Sequence, residues 1–163
     1  MADTKHTLVA LVEDKPGVLT RVASLFRRRA FNIQSLAVGH SEKPGLSRMT
    51  VVVNGDSAVV EQVRKQLDKL INVIKAFDIT KEDIVARELA LIKVKATAST
   101  RSEIIQIVDI FRANIVDVAS DSLTVEVTGD EDKVESLFEL LRSFGIKEVT
   151  RTGRVALTRG GAQ

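Results

Sequence analysis

Cysteine, tryptophan and tyrosine are all absent from this chain of 163 residues. Without cysteine the chain has no disulfide, no thiolate zinc site and no thiol nucleophile, a composition typical of a reducing compartment. Only two histidines are present, His6 near the chain start and His40 beside a predicted turn. A metal site built on histidine is therefore not expected.

Long apolar runs are also lacking, although 44% of the residues are hydrophobic. No segment approaches the ~20 apolar residues that a membrane-spanning helix requires. Residues 1–5 contain nothing like the apolar core of a signal peptide. We therefore predict a globular, cytoplasmic protein that does not associate with a membrane.

The net charge is small but unevenly distributed. Lysine and arginine number 24 and the acids 22, and a net charge of +2 is too balanced for a dedicated nucleic-acid binder. Residues 1–81 contain 13 basic and 8 acidic residues, a net +5, whereas residues 82–163 contain 11 and 14, a net −3. This change of sign suggests two structural units.

The first half of the chain has the element order β-α-β-β-α-β. A turn at residues 14–17 precedes an amphipathic helix whose apolar stripe includes Val18, Leu19 and Val22. Asp56 is the predicted N-cap of the second helix. Short runs rich in apolar or β-branched residues mark the strands. The predicted strands are residues 7–12, 32–39, 46–53 and 71–79.

The second half repeats this order, and residues 30–33 and 112–115 are similar segments that follow helices of similar phase. Thr100 and Glu103 have the spacing of a capping box. The fold class is therefore α+β, with two tandem ferredoxin-like βαββαβ domains at residues 1–80 and 81–163. The strands are apolar on both faces, so we expect each sheet to need a partner on the face without helices. The predicted strands are residues 88–96, 114–118, 122–127 and 146–150, with residues 155–157 as a possible further one.

Neither catalysis nor RNA binding is indicated. The chain has no G-x-x-x-x-G-K-[ST] phosphate loop and no G-x-S-x-G elbow. The paired acids at residues 82–83 and 130–132 fall in the predicted linker and at a helix start, where acids stabilise the helix dipole. An RNA-recognition module shares this topology but stacks bases on aromatic side chains of its central strands. The six aromatic residues here are all phenylalanine, and none is predicted on those strands.

The turn between the first strand and the first helix is a candidate binding site. Pro16 suits the first turn of a helix, and Gly17 lets a ligand or another backbone approach the helix N-terminus closely. Free N–H groups there bind carboxylates and phosphates. The alternative is a plain turn in which the side chain of Asp14 caps the helix.

Asn32, at the start of the second strand, is the other candidate. Its amide offers two donors and an acceptor, which suit the carboxylate or the ammonium of an amino acid. The alternative is an asparagine that merely tolerates left-handed backbone in a turn. Asn114 occupies the equivalent position of the second half without a matching turn before it, which keeps both interpretations open.

The order Asp14-Lys15-Pro16-Gly17-Val18-Leu19, a helix and then Phe31-Asn32-Ile33 resembles an ACT domain, a ferredoxin-like module that binds amino acids, often across a dimer interface. Longer segments resemble the small regulatory subunits of acetohydroxyacid synthase (acetolactate synthase) over nearly the whole chain. These segments are residues 17–22, 29–39, 46–50, 62–70, 87–89 and 111–118.

The resemblance implies a regulatory role without catalysis. In that family the large subunit acts on pyruvate and 2-oxobutyrate with thiamine diphosphate, magnesium and FAD, so no catalytic residue and no cofactor is expected on this chain. The small subunit activates its partner and makes it sensitive to branched-chain amino acids, chiefly valine. The first domain would be the ACT domain that dimerises and binds the effector, and the second, ACT-like domain would activate the catalytic subunit.

The resemblance also implies an effector site between two N-terminal ACT domains. The family's Asn-x-x-Gly loop falls on Asp14 and Gly17, so an acid stands where the family has an amide, and this affects which branched-chain amino acid is preferred. A stand-alone amino-acid sensor without an enzyme partner is the alternative function. The implied effector-binding residues are Asp14, Gly17, Val18, Leu19, Asn32, Ile33, Ala37 and Gly39.

Overall fold

Residues 4–160 are described by a computed structural model, and the chain divides into two compact units. The first unit contains the chain up to Val85 together with the segment from Gly153 onward, and the second is Ala86–Thr152. The sequence suggested a boundary between residues 80 and 81, with all later residues in the second domain. The observed division instead returns the end of the chain to the first unit.

The first unit is built on a four-stranded antiparallel sheet in the order β2-β3-β1-β4. Helix α2 packs on β4 and β1. Helix α1 connects β1 to β2, which lie on either side of β3, so it crosses the β3 side of the same face. Strand β2 lies at an edge and has β3 as its neighbour. The elements are β1 (Thr4–Glu13), α1 (Val18–Arg28), β2 (Ile33–His40), β3 (Leu46–Gly55), α2 (Ser57–Asp68) and β4 (Val73–Asp78).

The core of this unit lies between one face of the sheet and the two helices. Alternate residues of a strand point to the same face, and on β1 these are Leu8, Ala10 and Val12, all buried. The apolar stripe predicted on α1 is buried as expected, with one exception: the side chain of Leu19 is exposed. The buried members of the stripe are Val18, Val22, Leu25 and Phe26.

The second unit repeats the topology, with strand order β6-β7-β5-β8. The predicted α+β fold with two βαββαβ repeats is therefore confirmed. The last strand of the chain, β9, pairs with β5. Strand β5 begins at Ile84, which belongs to the first unit. The elements are β5 (Ile84–Lys95), α3 (Arg101–Ile110), β6 (Asn114–Val118), β7 (Ser122–Gly129), α4 (Glu131–Arg142), β8 (Ile146–Arg151) and β9 (Val155–Thr158).

The similarity of the two repeats extends to the backbone at the end of the first helix in each. Ala30 and Arg112 both have positive φ angles, 59° and 53°. The next residue in each repeat donates its N–H to a carbonyl five residues earlier, Phe31 to Phe26 and Ala113 to Val108, both at 3.0 Å. This is a Schellman ending, which usually uses glycine at the left-handed position.

Helix starts agree with the sequence in two of three cases. The side chain of Asp56 accepts from the N–H of Ala58 and that of Asp130 from the N–H of Lys133, as capping requires. The predicted capping box at Thr100 is wrong, because the hydroxyl of Thr100 accepts from the N–H of Thr97 instead. Among residues 4–160 the longest helices have 12 residues, and none is long and apolar enough to cross a membrane.

Candidate functional site

The turn after β1 leaves the start of α1 without a side-chain cap. Gly17 is the N-cap residue and adopts left-handed backbone with φ 85°, and the first turn of the helix contains no acidic residue. A side chain at this position would be strained, whereas glycine is not. The positive end of the helix dipole is therefore not neutralised by the helix's own residues.

Asp14 does not cap α1, so the plain-turn interpretation of Asp14 is wrong. Its backbone N–H donates to the carbonyl of Gly45 at 2.9 Å. One carboxylate oxygen, Oδ2, lies 3.5 Å from Nδ1 of His40 at the end of β2. The structure thus brings Asp14 to His40, and both side chains are exposed.

Charged residues around this turn have partners of their own. The Nζ of Lys15 lies 2.9 Å from Oε2 of Glu13, and Nδ2 of Asn72 donates to the same oxygen at 3.0 Å. The hydrogen bond from Lys15, helped by that from Asn72, holds the pKa of Glu13 below its ordinary value. Arg21 in turn donates to Asn72. The group that remains open to a carboxylate is the start of α1 itself.

The other predicted effector residues lie along β2 and α1. Asn32 is exposed, and Ile33 is half-buried against the core. Ala37 and Gly39 pair with Thr50 and Arg48 of β3, and a β-carbon at Gly39 would meet open space. Of the two helix residues, Leu19 is exposed and Val18 is buried in the core.

Within one chain, Asn32 and Gly17 lie at opposite ends of the sheet. Ile33 pairs with Val53 of β3, whereas Glu13 pairs with Leu46. Seven residues of strand separate these two positions, which at 3.3 Å per residue is about 23 Å. One copy of the chain therefore brings Gly39 and His40, but not Asn32, to the turn at Gly17.

The equivalent turn of the second unit is occupied by its own side chains. The hydroxyl of Thr97 lies within 3.1 Å of the hydroxyls of Ser99 and Thr100. Arg101 donates to the carbonyls of residues 119 and 120, both at 3.0 Å. Glu103 supplies an acid in the first turn of α3. This helix start is already neutralised, so it has little to offer an external carboxylate.

Sequence reasoning did not single out Arg48 of β3, which is half-buried. Its Nη2 donates to the carbonyl of Ala156 at 3.2 Å, and its guanidinium carbon lies 5.9 Å from the ring centre of Phe77. Within the described chain its Nε is buried and has no acceptor. Burial lowers the pKa of Arg48 from its ordinary value. No local signal reveals this contact, because 108 residues separate the two partners.

Metal ligands are not clustered in the part of the chain that the structure describes. No group of three or more histidine or acidic side chains there is placed to hold an ion. In the acidic turn at residues 130–132, Asp130 caps α4.

Two family models match the chain, one on each repeat. Residues 8–75 match the model described as the AHAS small subunit-like ACT domain. Residues 87–160 match the model described as the small subunit of acetolactate synthase. The chain belongs to the acetolactate synthase small-subunit family.

Relatives agree over nearly the full length. A probable acetolactate synthase small subunit of Archaeoglobus fulgidus is 61% identical over 156 residues, covering 96% of this chain and 98% of the relative. The acetolactate synthase small subunit of Mycobacterium bovis is 56% identical, with 98% and 95% covered. The crystal structure of the Thermotoga maritima small subunit is similar with a TM-score of 0.88 at 43% identity, covering 98% of this chain and 99% of that one.

Proposed function

We propose that this chain is the regulatory subunit of an acetolactate synthase, which activates a separate catalytic subunit and makes it sensitive to branched-chain amino acids, valine foremost. Membership of the small-subunit family supports the role, since a small subunit implies a larger partner. Thiamine diphosphate, magnesium and FAD belong to that partner in this proposal. This chain contributes binding and regulation only.

The effector site is completed by a second copy of the chain. Strand β2 is an eight-residue edge strand without lysine, arginine, acidic residues or proline, and such an edge is ready to pair with another strand. Antiparallel pairing of two β2 strands about their midpoint, between Leu36 and Ala37, sets Ile33 opposite His40 of the other copy. Asn32 of one copy then lies beside the turn at residues 14–17 of the other, because His40 adjoins that turn.

Helix α1 is shaped for the same association. It covers the β2 side of the sheet, and its outward face carries a shallow depression of about 300 Å³. Small side chains let two helices approach closely, since the distance between helix axes depends on the side chains at the contact. The residues that line the depression are Leu19, Thr20, Ala23, Ser24 and Arg27.

The observation that carries the proposal is the open start of α1 at Gly17. Its free N–H groups suit the carboxylate of an amino acid. The carboxylate of Asp14 accepts hydrogen bonds from the ammonium group of the effector, and Asn32 of the second copy offers a further donor and acceptor. The apolar side chain of the effector lies against Leu19 of one copy and Ile33 of the other.

Reconstitution tests the proposal. Acetolactate formation by the purified catalytic subunit is measured with and without this chain, while valine, leucine and isoleucine are titrated. We expect the chain to raise the rate of acetolactate formation and valine to reverse this increase. The change in rate should lie within the range of ordinary allosteric coupling, about 5–150-fold. Acetolactate formation by this chain alone, or an unchanged rate in the mixture, contradicts the proposal. Amino-acid binding without any effect on the rate would favour the stand-alone sensor.

A further inference from the structure

The face of the first sheet that points away from the helices is buried in its central part. Side chains alternate between the two faces of a strand, so Thr7 and Val9 of β1 point opposite to Leu8. Both are nevertheless buried, and so are their partners on β3, Val52 and Thr50. Part of this unit must therefore cover the sheet face for which the sequence predicted no covering element.

The end of the chain contacts this face. We call Gly153–Arg159, which contains β9, the return segment. The N–H of Arg154 donates to the hydroxyl of Ser35 at 2.6 Å, and its Nη1 donates to the hydroxyl of Thr7 at 3.1 Å. Arg48 donates to the carbonyl of Ala156, which is itself buried. The segment is thus hydrogen-bonded to β2, β1 and β3.

The far end of the return segment is held as well. The N–H of Arg159 donates to the carbonyl of Asp83 at 2.8 Å, and its Nε lies 3.2 Å from Oδ1 of the same residue. The hydrogen bonds at Arg154 and Arg159 therefore hold both ends of the return segment in place.

Gly153 is the point of closest approach to β2. A β-carbon at this position would lie 2.4 Å from the carbonyl oxygen of Leu36 and 2.6 Å from its carbonyl carbon. Both are backbone atoms of a paired strand, so they cannot move aside as a flexible side chain would. The φ of Gly153 is not among the positive glycine values. Space alone, and not backbone conformation, therefore requires glycine here.

We propose that the return segment is a positioning element for β2, and that its seating by Gly153 sets how well two copies pair and how strongly the effector acts. The inference rests on the proposed function for its effector part. Ser35 and Leu36, which the segment contacts, lie at the midpoint of β2, where the symmetric pairing is centred. A displaced segment no longer fixes the centre of β2 in position, and it exposes the sheet face beneath it.

Gly153→Ala is the central test. Leu157→Ala is the matched control, because it shortens an exposed side chain of the same segment and leaves the contact of Gly153 with β2 unchanged. Ser35→Ala is the milder second variant, because it removes only the acceptor for the N–H of Arg154. The measurements are hydrogen exchange of β2 and the return segment, the dimer dissociation constant by sedimentation equilibrium, and valine inhibition of the reconstituted enzyme.

We expect Gly153→Ala to speed exchange in both segments and to weaken the dimer and the valine response by about tenfold, the scale of one lost buried contact. Ser35→Ala should act in the same direction, and Leu157→Ala should match the unaltered chain. Faster exchange with an unchanged dimer constant, or no change in exchange, overturns the proposal.

Failure of the proposed function gives a different result. If the unaltered chain shows no response to any branched-chain amino acid, the regulatory proposal fails. The positioning role is then decided by exchange and by the dimer constant, which need neither effector nor catalytic subunit. An unaltered chain that stays monomeric overturns the positioning role.

Discussion

The two units share a topology but differ at the turn that leads into their first helix. In the first unit the helix begins at a left-handed glycine without a cap or an acid. In the second, hydroxyls of residues 97–100 bond to one another, Arg101 binds two carbonyls and Glu103 lies in the first turn. The same fold therefore presents one open helix end and one closed one, and binding is a property of the turn rather than of the fold.

The exposed edge strands differ in the same direction. Strand β2 has eight residues and no lysine, arginine or acidic residue, whereas β6 has five residues and contains Asp117. Short strands and charges at an edge discourage pairing with another chain. The unit with the open helix end is thus also the unit with the pairing-competent edge.

The largest expected effect tests whether the units are separate at all. Leu67 in α2 and Leu141 in α4 are both fully buried and lie eleven residues after their N-caps. Replacing either with alanine should lower the free energy of unfolding by about 2–5 kcal/mol, because transfer energy is lost and a cavity remains. Hydrogen exchange should rise mainly in the unit that carries the change. A rise of equal size in both units would show that they unfold as one.

Gly17→Asp should remove the valine response while activation of the catalytic subunit remains, because a carboxylate then occupies the place of the effector's own. We expect a loss of about 1–3 kcal/mol of coupling, measured as the shift of the valine inhibition curve. Gly17→Asn controls for backbone strain without charge, since asparagine tolerates left-handed backbone. Thr100→Asp, at the closed helix start, should leave the curve in place. An unchanged curve for Gly17→Asp refutes the placement.

A lysine on each edge strand compares the two edges directly. Val38 on β2 is 50% exposed and Val116 on β6 is 53% exposed. Val38→Lys should weaken the dimer at least about tenfold, since a charge at an edge opposes strand pairing. Val116→Lys should leave the dimer constant unchanged. Equal effects in sedimentation equilibrium would place the interface elsewhere.

The smallest effect concerns the ion pairs on the second helix of each unit. Glu61 pairs with Arg64 on α2, and Glu139 pairs with Arg142 on α4. The hydrogen bond from Arg64 lowers the pKa of Glu61. The pKa of Glu61 is therefore lower in the folded chain than in the unfolded one. The ion pair stabilises the fold fully at pH values above the unfolded-state pKa, and this stabilisation is lost as the pH falls through the folded-state pKa.

Glu61→Gln should therefore cost a few tenths of a kcal/mol at neutral pH, the usual worth of a solvent-screened helix pair. The difference from the unaltered chain should disappear in acid, as followed by urea unfolding at several pH values. Glu139→Gln is the control on the more exposed pair. A cost for Glu61→Gln that grows as the pH falls would contradict the assigned sign.

Local patterns predicted the fold well because helix and strand periodicity are short-range properties. The stripe on α1, except for Leu19, the cap at Asp56 and the helix start at residues 130–132 were correct. The predicted cap at Thr100 was wrong because its hydroxyl bonds to the N–H and the hydroxyl of Thr97 instead. A capping motif in the sequence does not reveal which of several nearby groups the side chain will bond to.

Long-range contacts could not be predicted in this way. The possible strand at residues 155–157 was expected, but its place in the first unit depends on the hydrogen bond between Arg154 and Ser35, which are 119 residues apart. The candidate site was only partly predictable for a related reason. The turn and Asn32 are visible in the sequence, but their separation by about 23 Å follows from strand register.

Hydrogen exchange of the full-length chain with and without saturating valine tests the central claim most directly, because it reports both units at once. We predict that valine protects residues 14–19 and residues 32–39 of the first unit and leaves residues 97–103 and 114–118 of the second unit unchanged. Protection at the second turn, or no protection at the first, would contradict the assignment of effector binding to the open helix start at Gly17.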